Sequence, residues 1–146
     1  MLKRLFGSSE PAGERHGLER RHLQVSVAVL LHEARRADYE HVDGESDVAE
    51  LALRELFGVG ADEAAELLKE GRAKAEQLTS FYAPLTVIKR DFSMPERIRL
   101  IEHLWRISFA DGQLNLYEDH YVRKIAHLLY VPNIDSMLAR NRAKVR

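Results

Sequence analysis

The sequence predicts an all-α fold, a bundle of about seven helices in one domain, and three observations predict it. Segment after segment carries apolar residues at helical spacing with charged residues between them. Only eight Gly and four Pro interrupt 146 residues, which favours long helices over many short strands. A capping box, Ser93-Met94-Pro95-Glu96, marks the start of one helix outright.

The elements follow in order. Residues 1–15, with Gly7, Ser8, Ser9, Pro11 and Gly13, read as a flexible arm, and 16–146 as the helical domain. From about Glu19 to Ala37 the chain is apolar almost all round (Leu23, Val25, Val27 to Leu31, Ala34), as in a helix buried in a core. Its valines also suit a strand, but the length and flanking charges favour helix. An acidic loop follows, Asp38 to Glu45, and Ser46 can cap a second helix that Gly58 ends in a left-handed conformation. A third helix spans about Ala61 to Thr79, and Phe81 to Ile88 forms a short fourth. The capping box opens a fifth through Ile98, Leu104, Trp105 and Ala110. A loop, Asp111-Gly112-Gln113-Leu114-Asn115-Leu116, leads to a sixth from Tyr117 to about Tyr130, and a seventh follows Pro132 and Asn133.

Two segments echo one another. Leu31, Ala37 and Asp38 match Leu104, Ala110 and Asp111 at a spacing of 73, and Asp47, Leu56 and Val59 match Asp119, Leu128 and Val131 at 72. The one-residue shift falls in the loop, where insertions are tolerated. This internal pseudo-repeat makes two helix-acidic loop-helix units, whose apolar helices are expected to pack against each other at the centre.

Composition restricts function. Apolar residues at 45% and charged residues at 31% describe a water-soluble globule with one sizeable core. A net charge of −1, with bases interleaved among acids, argues against nucleic-acid binding. The tail Arg140, Arg142, Lys144 and Arg146 reads first as cations at a helix C-terminus. Without cysteine there is no thiol chemistry. No apolar run suffices for a transmembrane span, the opening residues do not form a secretory signal, and a cytoplasmic location is expected by default. No serine sits in a nucleophile motif, His32-Glu33 lacks the second histidine of a zinc protease, and no enzyme activity is expected.

The sharpest constellation is Asp111-Gly112-x-Leu114-x-x-x-Glu118. Gly permits a tight turn, Leu114 can anchor the loop, and Asp111 and Glu118 can converge on a hard cation such as calcium or magnesium. The first unit offers Asp38, Glu40, Asp43, Glu45 and Asp47, with Tyr39 in place of the Gly and Ser46 in place of Glu118. Acids at a helix N-terminus also complement its dipole, and Asp and Gly are ordinary turn residues, so the residues alone leave capping and ligation both open.

His32-Glu33-Ala34-x-x-Ala37-Asp38, Phe57-Gly58-Val59 and Ala64-Ala65-Glu66-Leu67-Leu68 resemble the tellurite-resistance TerB-like family. So do Leu104-Trp105-Arg106-x-x-x-Ala110-Asp111-Gly112-x-Leu114-x-x-x-Glu118-Asp119-His120 and Arg123-Lys124-Ile125-Ala126. The likeness runs from about Arg21 to Arg142. It implies a seven-helix fold whose loop acids cluster as a divalent-metal site: Asp38, Glu45, Asp111 and Glu118, supported by Glu33; Asp43, Asp47 and Asp119 are further acids beside them that can support it. It further implies a non-catalytic module of tellurite and stress responses. The alternative expectation is a scaffold for an unidentified protein partner, with purely structural acids.

Overall fold

The computed structural model describes residues 12–36, 43–110 and 116–144, except the side chains at 12–15, 36, 43–47 and 116–117. Among the described residues there are seven helices and no strand: α1 (Ala12–Arg36), α2 (Asp43–Phe57), α3 (Ala61–Gln77), α4 (Tyr82–Asp91), α5 (Met94–Phe109), α6 (Leu116–Leu128) and α7 (Asn133–Lys144).

The all-round apolar stretch is the heart of α1. Val27, Ala28, Val29, Leu30 and Leu31 are all 0% exposed, so burial in the core, not β-branching, decides their conformation. The helix begins at Ala12 rather than near Glu19. Gly13 and Gly17 each cost a helix only about 1 kcal/mol, and the charged formers around them offset it. The rest of the expected arm, residues 1–11, lies outside the described residues.

Helix α1 packs chiefly on α3 and α4, and α5 chiefly on α7 and α2. The two apolar helices do touch, but α1 is covered mainly by α3 and α4, which lie outside the two units, while α5 is covered by α2 and α6 of the units as well as by α7. At Gly71 of α3 a Cβ atom would stand 2.7 Å from the carbonyl carbon and the Cβ of Ala28, so the backbones of α1 and α3 meet where only hydrogen fits.

The starts of α5 and α4 follow their chemistry, whereas Ser46, expected to cap the second helix, falls inside α2, which begins at Asp43. In the capping box, the Ser93 amide donates to Glu96 Oε1 at 2.8 Å while the Glu96 amide donates to Ser93 Oγ at 3.4 Å. Helix α4 runs three residues past the expected Ile88. Pro84 sits in its first turn, where a missing N–H costs nothing. Arg97 then gathers carbonyls from the ends of α4 and α6, donating to Lys89 O at 2.8 Å, Phe92 O at 3.2 Å and Leu129 O at 3.2 Å. A cation there satisfies orphan acceptors and the negative end of two dipoles together.

Both acidic-loop units run antiparallel. Arg20, early in α1, donates to Phe57 O at the end of α2 at 3.0 Å, as Arg97, early in α5, does to the end of α6. The end of α2 turns at Gly58, φ 69°, and that of α6 at Tyr130, φ 60°. The left-handed Gly58 is the conformation its position predicts.

Candidate functional site

The acidic loops join α1 to α2 and α5 to α6, so the ends of α1 and α6 locate them. Tyr121, in the second turn of α6, donates its hydroxyl to Leu30 O of α1 at 2.9 Å. From Leu30 the helix rises about 9 Å to Arg36, and from Tyr121 it is about 7.5 Å back to Leu116, at about 1.5 Å per residue. Glu33 and His120, each about one turn from those ends, line the same cleft. The last turns of α1 and the first turns of α6 therefore face one cleft at one pole.

Glu118 opens that pole. It sits in the first turn of α6 and is only 2% exposed, among the largest fully buried side chains of the molecule. Withdrawing a carboxylate this far from water is costly unless positive charge or hydrogen-bond donors balance it. Helical spacing turns Asp119 to another side. There Arg123 Nε donates to its Oδ2 at 2.6 Å, and Arg140 Nε lies 3.8 Å from its Oδ1. Both guanidinium groups also rest on aromatic rings: Arg123 lies 5.9 Å from the Trp105 ring centre, and Arg140 lies 5.5 Å from those of Trp105 and Phe109. The two rings stack at 6.3 Å. Asp119 is thus matched to cations that pack the α5–α6–α7 junction.

Of the other expected ligands, Asp38 and Asp111 lie outside the described residues. Asp43, Glu45 and Asp47 fall in the first turns of α2, with side chains outside the described ones. Glu33 is half-buried on the wall of the cleft. Among the described residues, no three His, Asp or Glu stand close enough together to hold an ion.

A second polar cluster escaped the sequence reading. Glu102 of α5 accepts from Arg106 at 3.0 Å and from Arg142 of α7 at 2.6 Å. Arg106 also reaches Glu55 of α2 at 3.2 Å, and the buried His103 lies 3.4 Å from the same carboxylate. Burial pushes the Glu102 carboxyl up. The hydrogen bond from Arg142 and the charges of Arg142, Arg106 and His103 outweigh that and hold it below its ordinary value. The only sequence signal was the i,i+4 spacing of Glu102 and Arg106; the partners come from helices 40 and 51 residues away. The tail arginines likewise do more than complement a helix dipole, since Arg140 and Arg142 tie α7 to α6 and α5.

The model of one protein family, Tellurite resistance protein TerB, matches residues 24–141. No curated protein and no solved structure matches the chain.

Proposed function

The chain belongs to the tellurite-resistance TerB family, and from that premise we propose that it is a non-catalytic, cytoplasmic module binding a divalent cation, calcium or magnesium, where α1 ends and α6 begins. The observation that carries this reading is Glu118, a carboxylate 2% exposed at the threshold of an acidic loop. The donors available there are carboxylate and carbonyl oxygens without thiols, the set hard cations prefer. Glu118 and Asp111 supply one side, and Asp38 and Glu45 the other. Glu33, Asp43 and Asp47 add negative potential around them, whereas Asp119, expected to do the same, is matched to Arg123 and Arg140. Among the described residues no helix is long and apolar enough to cross a membrane. The role is a helical module of tellurite and stress responses that answers to cation level.

Calcium titration by calorimetry tests it. Saturable binding by the native chain, lost in an Asp111→Ala, Glu118→Gln double variant that still unfolds cooperatively, is the expected result. No saturation up to the millimolar range, or equal binding by the variant, refutes it.

The second reading is a protein-interaction scaffold with structural acids. Asp119 favours it, because a carboxylate engaged by Arg123 and Arg140 serves packing first. In that case calcium has no effect, and any protein partner is retained by the double variant.

A further inference from the structure

We propose that the cleft between α6 and the start of α4 binds a small amphipathic organic acid, its apolar body on Phe81, Ile125 and Leu128 and its acidic head at Lys124. The cleft measures about 600 Å³, within the range of pockets that enclose small organic ligands. Its floor is apolar. Ile125 belongs to the core at 1% exposure, while Phe81 and Leu128 are half-buried and leave part of their surface in the opening. Such a floor suits an aromatic or aliphatic body and gives nothing to a bare inorganic anion.

Charge selects the head group. Lys124 and His120 lie four residues apart on α6 and so share the face that forms one wall. The arginines of this region are already matched, Arg123 and Arg140 to Asp119 and Arg142 to Glu102. Lys124 has no acid within ion-pair distance among the described residues, which leaves its charge for a ligand. Helix α4 begins at the cleft with no acid in its first turn and only the neutral Ser80 Oγ accepting from the Tyr82 amide at 3.4 Å, so the positive end of its dipole adds to that potential. Glu33 of α1 also lines the cleft, and a carboxylate there disfavours an acidic head on its own side. This site needs neither the loop carboxylates nor a cation, so it stands or falls separately from the metal reading.

The test uses two dyes with the same aromatic body: 1-anilinonaphthalene-8-sulfonate, which carries an anionic head, and uncharged N-phenyl-1-naphthylamine. Fluorescence titrations of the full chain are run in EDTA. The sulfonate should bind once per chain, about tenfold more tightly than the neutral dye. Lys124→Glu should weaken it about tenfold, Glu33→Gln should tighten it a few-fold, and Lys144→Glu, which makes the same charge change at an exposed position of α7, should leave it unchanged. Equal affinity for the two dyes, equal losses in the two lysine variants, or no saturation below about 1 mM overturns the proposal. So does sulfonate binding that fades as protein concentration rises while sedimentation shows a dimer, because a second copy then covers this face.

Discussion

In the pair α1–α2 the second helix ends at Gly58 with φ 69°, and in the pair α5–α6 it ends at Tyr130 with φ 60°. The same left-handed turn is made once by the residue suited to it and once by a tyrosine. Tyr130 is held by the paired bonds of a Schellman end, Val131 N to Ala126 O at 2.9 Å and Tyr130 N to His127 O at 3.0 Å, whereas Gly58 makes the single bond to Arg54 O at 2.8 Å. The packing differs too. Helix α1 lets α3 approach to backbone contact through Gly71 and Ala28. Helix α5 fills its surroundings with Trp105 and Phe109 under two arginines and with the Glu102–Arg106–Arg142 cluster. One backbone course is thus stabilised by close approach of small residues on one side, and by aromatic and charged side chains on the other.

The strongest test of that contrast is Gly71→Ala. In a free helix the change gains about 1 kcal/mol. Here the new methyl meets the Ala28 backbone, and overpacking of this kind costs about 1–3 kcal/mol. Urea unfolding should show a net loss of up to about 2 kcal/mol. A gain would mean that α1 and α3 stand farther apart than the structure has them.

The two turns offer a paired comparison of smaller size. Gly58→Ala should cost about 1 kcal/mol, the strain of a left-handed alanine. Tyr130→Gly should gain less, about 0.5 kcal/mol. It gives up the contact of Lys89 with the Tyr130 ring, 4.8 Å from its centre, and it loosens the unfolded chain. Equal and opposite effects would show that the ring contributes nothing at its turn.

The smallest effect concerns the charged side of the contrast, and its sign follows from Glu102. Its carboxyl is held below the ordinary value in the folded chain. It therefore stabilises the fold above the unfolded carboxyl's pKa of 4.5, and that contribution is lost as pH falls through the lower folded value. Denaturant midpoints of the native chain and Glu102→Gln should differ most at neutral pH and converge below about pH 4.5. A constant difference down to acid pH would place the effect in packing instead of charge.

Much of this architecture was legible because helices announce themselves locally. The period of Leu100, Leu104 and Ile107, the box at Ser93–Glu96 and the glycine at 58 each act within a few residues of chain. Boundaries slipped where two local preferences compete, as at Gly13 and Gly17, where loop-forming glycines lie inside a charged helical turn. The Arg97 staple, the Glu102 cluster and the Gly71 approach were not legible, since each depends on which helices come together. The pole shows the same division. The sequence singles out Glu118 by its spacing from Asp111, and only the fold reveals that this carboxylate is buried while Asp119 beside it is matched to arginines.

One NMR titration bears directly on the claim that both loops serve a single cation. Calcium is added to the ¹⁵N-labelled chain, and the amides of residues 37–42 and 111–115 are followed together. Both sets should move along one binding curve with one dissociation constant, and neither should move in Glu118→Gln. Shifts confined to one loop, two unrelated curves, or no shift at all would contradict a shared site.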